Sequence, residues 1–252
     1  MPRLRFASIV ALALLSAEAR AETVRVSAAA SLTEAFTAIA KAFEKASPGD
    51  TVELNFGGSQ TLRTQIGHGA PVDVFASADP VHAEALQRAG LLGKTQVFAR
   101  SRLVVAVPSR GSMTRLLDLA RPGTRVVLAA PAVPAGRYTA QMLAKLGASG
   151  LYGDDFPSRV QANVVSEEAN VRAVLAKIAL GEADAGVVYA TDVAAAGDKV
   201  RAIEVPDRDN VVADYPIGLV ARAGAPEKAR AFVAFVLGTE GQAVLRKRGF
   251  GR

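Results

Sequence analysis

Two hydrophobic rhythms take turns along this chain. Short runs rich in β-branched residues read as strands at 23–27, 51–56, 72–77, 103–107, 125–130, 160–165, 185–189, 200–205 and 217–221. Between them the apolar spacing widens to three and four residues, the period of a helix with one buried face. Ala35, Phe36, Ile39, Ala40 and Phe43 form the first such stripe. Gln60 to Ile66 forms a short second one, with Leu62 and Ile66 on one side. Asp79 at an N-cap with Pro80 behind it opens a third, which ends at Gly90. Pro134 opens a fourth, carrying Tyr138, Met142, Leu143 and Leu146 and stopped by Gly147. Asn170 caps a fifth, with Val171, Val174, Leu175 and Ile178 inward, ending at Gly181. A C-terminal helical region runs from Glu227 to about Arg248, broken at Gly238. Ser31 and Glu34 have the spacing of a capping box at the first helix start.

Strands alternating with helices predict an α/β fold, a mostly parallel sheet with helices on its faces. In such sheets ligands lie beyond the carboxyl ends of the strands, beside helix N-termini. Four positions meet that description, each among small residues: Ser31, Ser59, Ala135 and Val171. The serines offer a hydroxyl and a backbone N–H, the other two a backbone N–H alone. Tyr189, ending its strand, adds a phenolic donor. Were these to converge, they would form a ring of neutral donors. Helix ends and turned backbone N–H groups carry enough partial positive charge to hold a multiply charged anion without Lys or Arg. Such a ring selects. A fully deprotonated tetrahedral oxoanion brings only acceptors, whereas hydrogen phosphate brings an O–H with nothing to receive it, at a cost of about 1–3 kcal/mol.

Composition narrows the compartment and the chemistry. Arg3 and Arg5, the apolar run 6–15 and the small-x-small sequence Ala19-Arg20-Ala21 predict a secretory signal peptide, residues 1–21, cut after Ala21; the run is too short to span a bilayer. No later charge-free apolar run is long enough for stable membrane insertion. Losing Arg3, Arg5, Arg20 and Glu18 takes the formal charge from +6 to +4. The densest basic cluster, Arg246-Lys247-Arg248, complements a helix C-terminus, and with no Trp and no basic run interleaved with aromatics nucleic-acid binding is not expected. There is no Cys, so the exported protein relies on its core rather than on disulfides. Two isolated histidines, His68 in a loop and His82 on a solvated helix face, leave few ligands for a metal cation. Ser59 lies in Gly-Gly-Ser-Gln rather than Gly-x-Ser-x-Gly, with no base in an evident relation to it, so an exported hydrolase is the weaker alternative. Asp73 and Asp79 read as loop-orienting and capping residues.

The segments Ala28-Ala29-Ala30-Ser31-Leu32-Thr33, Phe56-Gly57-Gly58-Ser59-Gln60-Thr61-Leu62, Gly69 through Asp79, Val133-Pro134-Ala135-Gly136-Arg137-Tyr138, Gly186 through Asp192 and Tyr215-Pro216-Ile217 together resemble the periplasmic molybdate-binding proteins of ABC importers. The resemblance implies a two-lobed class II periplasmic binding protein fold, each lobe a mostly parallel sheet flanked by helices. Residues 22–102 and 214–252 would form lobe 1 and 103–213 lobe 2. It implies that Ser31 and Ser59 from one lobe, with Ala135, Val171 and Tyr189 from the other, hold molybdate or tungstate. No cofactor would be needed, the protein would be a monomer in the periplasm, and its partner would be a membrane permease. Sulfate, another proton-free tetrahedral dianion, or another solute held by the same fold is the alternative ligand. This sequence departs from the family in having Gly-Gly-Ser-Gln rather than a serine run, in Arg137 after Gly136, and in Asn170 where an acidic residue is common. Arg137 and Tyr138 therefore raise the question of what stands at the cleft.

Overall fold

The structure, a computed structural model, describes residues 22–251; the expected signal peptide lies outside the described residues. In chain order it runs β1 (Thr23–Ala29), a 3₁₀ turn (Ala30–Leu32), α1 (Thr33–Ala46), β2 (Thr51–Gly57), α2 (Ser59–Gly67), β3 (Val74–Ala76), α3 (Pro80–Arg88) and the long β4 (Gln96–Pro108). Then come β5 (Val126–Ala129), α4 (Pro134–Ala148), α5 (Phe156–Ala162), β6 (Val164–Glu168), α6 (Val171–Ala179), β7 (Ala185–Tyr189), α7 (Ala190–Ala196) and β8 (Val200–Glu204). β9 (Val212–Leu219), α8 (Pro226–Leu237) and α9 (Thr239–Lys247) complete it.

The sheet order is β2-β1-β3-β9-β4-β7-β5-β6, with β8 also on β4. Two parallel cores, β2-β1-β3 and β6-β5-β7, give the expected α/β architecture. They are joined through antiparallel pairing of β4 and β9. β4 changes partner along its length: residues 96–102 pair with β9, and from Leu103 onward it pairs with β7 and β8. Asn210 fixes this handover. Its side chain accepts from the Leu103 N–H at 3.1 Å and donates to the Leu103 carbonyl at 2.9 Å.

The predicted stripe of α1 is the observed one: Ala35, Phe36, Ile39, Ala40 and Phe43 are all buried. Phe36 meets Phe98 and Phe232 edge-on, at centroid distances of 5.6 and 6.2 Å. Burying one such ring contributes roughly 1.5–3 kcal/mol.

Three expectations change. Residues 160–165 are not a strand: Pro157 sits in the first turn of α5, whose Phe156 and Val160 are buried one turn apart, and the strand begins at Val164. One apolar valine fits either period, and the helix start decides it. The late strand spans Val212–Leu219 instead of beginning at Ile217. The third is the first half of β4, which reads as polar because its outward residues are charged: Arg100 pairs with Asp214 at 2.7 Å and Arg102 with Glu204.

Candidate ligand-binding site

Each predicted donor is delivered by a different loop-to-helix junction. The Ser31–Glu34 capping box does not form. A 3₁₀ turn tightens the entry to α1, so Ser31 lies inside that turn and Leu32 takes the N-cap. Thr33 Oγ1 donates to the Ala30 carbonyl at 2.7 Å instead. The Ser31 hydroxyl turns to the buried Tyr215, 3.2 Å between oxygens, and Glu34 turns to Arg172.

Ser59 is the first residue of α2, and its Oγ accepts the Ala78 N–H at 3.0 Å. A hydroxyl whose oxygen already accepts keeps its own O–H to give. In α4, Pro134 has no N–H, so Ala135 supplies the first donor of that helix. Gly136 follows by necessity: a Cβ there would run into the carbonyl oxygens of Ala129 and Ala130. At α6 the Asn170 side chain accepts from Ala173 N at 3.0 Å, which leaves the Val171 N–H uncapped by it. Tyr189 ends β7 with its ring buried. Its hydroxyl is buried and has no hydrogen-bond partner among the described residues.

All five line one cavity, together with Ala29, Ala30, Gly57, Gly58 and Ala78, whose small side chains leave backbone N–H groups accessible. Among the described residues that line it, none carries a formal charge. The room is small, about 10 Å³ for the centre of a water-sized sphere. Burial pushes the Tyr189 phenol well above its ordinary pKa, with neighbouring Tyr215 adding to the shift, so the group stays a donor. Tyr215 is raised for the same first reason and so keeps its proton; in its bond with Ser31 either hydroxyl can be the donor.

The rims are held by ion pairs and carbonyl bonds between the two parallel cores. Arg137 pairs with the fully buried Asp79, whose Oδ1 caps α3 by accepting from His82 N at 3.2 Å. Gln60 Nε2 donates to Ala169 O at 2.7 Å, and Gly58 lies so near that carbonyl that a Cβ would strike it. His82 is not solvated as expected: it is 5% exposed and its Nε2 lies 3.0 Å from Ala132 O. Burial lowers its pKa, so the ring is neutral and Nε2 donates. Tyr138 is buried in the core, its phenol pushed up to about 12 by desolvation. Asp73 behaves as expected, accepting the Arg25, Gly224 and Ala225 N–H groups.

Sequence reasoning missed Tyr215, Ala78, Arg172 and Asp192. Ala78 and Tyr215 act through contacts 19 and 184 residues away in the chain, which no local pattern reveals.

A two-core α/β sheet whose helix N-termini converge on a small donor-lined cavity is the architecture of an extracytoplasmic solute receptor. The comparisons agree: residues 24–251 match the family described as Bacterial extracellular solute-binding protein, and the chain belongs to it. Among curated relatives it is similar to the molybdate-binding protein ModA of Mycobacterium tuberculosis H37Rv, 38% identical over 236 residues, covering 92% of this chain and 85% of that protein. The Azotobacter vinelandii periplasmic molybdate-binding protein superposes with TM-score 0.79 at 23% identity, covering 91% of this chain and 99% of that one. The sulfate-binding protein SubI from Mycobacterium tuberculosis superposes with TM-score 0.82 at 20% identity, covering 91% and 86%. At those identities the two structures speak for the fold alone.

Proposed function

We propose that this chain captures molybdate, and tungstate with it, outside the cytoplasm and delivers it to the membrane permease of an ABC importer. The observation that carries the reading is the Tyr189 hydroxyl, buried and unpartnered among the described residues, on a cavity that four further donors also line. A buried unpaired hydroxyl costs about 1–3 kcal/mol, and an acceptor-only ligand relieves that cost. The molybdate-binding relative supports the choice of ligand.

In this reading Ser31 and Ser59 each give a hydroxyl and an N–H, Ala135 and Val171 an N–H, and Tyr189 a hydroxyl. The dianion is stabilised by helix ends and backbone dipoles, with no formal cation against it and no cofactor. The change of partner along β4 supports a division into lobe 1, residues 22–102 and 214–252, and lobe 2, residues 103–213. Because each lobe supplies donors, the anion bridges them and favours closure by the contacts it makes only there. The protein binds and releases its ligand without chemistry, as a monomer in the periplasm after removal of residues 1–21. No described helix is long and apolar enough to cross a membrane.

The test is calorimetric titration of residues 22–252 with molybdate, tungstate, sulfate and phosphate at neutral pH. One-to-one binding of molybdate and tungstate, with sulfate and phosphate far weaker, is expected. Sulfate as the tight ligand would keep the site and change the cargo. No heat from any of the four would overturn the oxoanion reading.

A further inference from the structure

Arg172 occupies a position a cation should avoid. It is the second residue of α6, at the positive end of that helix. Two carboxylates offset this. Its Nε lies 3.0 Å from Asp192 Oδ1, and its Nη2 pairs with Glu34. Asp192 is fully buried, and its other oxygen, Oδ2, accepts the Tyr189 N–H at 3.1 Å. Glu34 lies in the first turn of α1, three residues past Ser31 and on the other side of the cleft.

One guanidinium therefore touches all three junctions of this flank. Through its own backbone it adjoins Val171, through Asp192 it holds the backbone of Tyr189, and through Glu34 it reaches the helix that follows Ser31. No residue of the trio lines the cavity. We propose that Arg172, clamped between Asp192 and Glu34, is a positioning residue of the oxoanion site. It sets Val171 and Tyr189 in register with each other and locks that pair to the Ser31 side when the cleft closes. A planar fork with donors on two edges is needed for this, and a lysine ammonium on a flexible stem cannot reproduce it. The Asp79–Arg137 pair on another rim also spans the cores, between the first turn of α4 and the residue after Ala78, whose N–H bonds Ser59.

The inference rests on the proposed function, and the experiment separates the two. Wild type, Glu34→Gln, Arg172→Lys, Arg172→Gln and the Glu34→Gln/Arg172→Gln double variant are titrated with molybdate and tungstate, with unfolding curves recorded alongside. Glu34 is partly exposed, so Glu34→Gln cuts the cross-cleft link with the fold intact even should the Arg172 variants unfold. Glu34→Gln is expected to weaken both anions by the same factor, about tenfold, leaving the molybdate-to-tungstate ratio unchanged. Arg172→Lys should fall as far as Arg172→Gln, and the double variant no further than Arg172→Gln, because the link that Glu34→Gln breaks is already lost with the arginine. A wild type that binds neither anion overturns the proposed function and this inference with it. Normal binding by wild type with unchanged affinity in Glu34→Gln overturns the inference alone. So does rescue by lysine, or simple additivity in the double variant.

Discussion

In the proposed site Tyr189 acts through its hydroxyl alone and each serine through a hydroxyl as well as an N–H, and the consequences of removing each hydroxyl are separable. Tyr189→Phe removes a hydroxyl with no hydrogen-bond partner among the described residues. Thermal unfolding without ligand should be unchanged or slightly raised, while molybdate binding weakens by about 1.5–3 kcal/mol in calorimetry. Ser31→Ala and Ser59→Ala should lose a similar amount of affinity. They should also cost some stability, since each hydroxyl bonds within the protein as well, to Tyr215 and Ala78. In the proposed site Val171 contributes only its N–H. Its side chain is buried, so Val171→Ala should cost roughly 1–3 kcal/mol of stability and little affinity.

Asp192 brings a pH dependence. Burial raises its carboxyl from 3.8 to about 6, against the pull of Arg172 and the Tyr189 N–H, with Glu34 adding to the rise and Tyr189 and Tyr215 packed nearby. Between those values the unfolded chain releases this proton before the folded one does. The group's contribution to stability therefore falls as pH rises from about 4 to above 6, by on the order of 3 kcal/mol. Denaturation of wild type and Asp192→Asn across that window should show the wild type losing ground to the variant as pH rises. Parallel curves would contradict the assignment.

Among the elements, α4 shows how a helix start is fixed by its first three residues. Pro134 sets the first turn and deletes one donor, Ala135 supplies the next, and Gly136 lets the turn sit against the end of β5. Gly136→Ala forces a methyl into the Ala129 and Ala130 carbonyls, and the turn must move. A loss of roughly 1–3 kcal/mol in chemical denaturation is expected, accompanied by weaker molybdate binding because the Ala135 N–H moves with it. An ordinary exposed helix glycine changed to alanine would stabilise instead, so the sign of the change is diagnostic.

Across the entire protein, the handover along β4 at Arg102 and Leu103 and the return through Ala213 define the crossing segments of the proposed lobes. Such crossings let two rigid bodies rotate with few backbone changes. Small-angle scattering should record a smaller radius of gyration for residues 22–252 when saturating molybdate is added. Glu34→Gln should shift the ligand concentration at which this happens and leave the final compact value unchanged. An unchanged radius with bound ligand would contradict closure.

Local order was readable in the chain because local rules produce it. The α1 stripe, the Asp79 and Asn170 caps, the break at Gly238 and the placing of the five proposed donors at helix starts all follow from periodicity, capping chemistry and strand-to-helix junctions, which act within a few residues. The family resemblance added the ligand and the lobe boundaries, which spacing alone left open. What tertiary structure decided is everything that depends on distant partners. Ser31 gave up its cap for Tyr215, Glu34 crossed the cleft to Arg172, His82 became buried against Ala132, and Arg137 was neutralised by Asp79. Polar side chains have several nearly equivalent partners in an extended chain. Only packing, by excluding water and making an unpaired group costly, leaves each of them one.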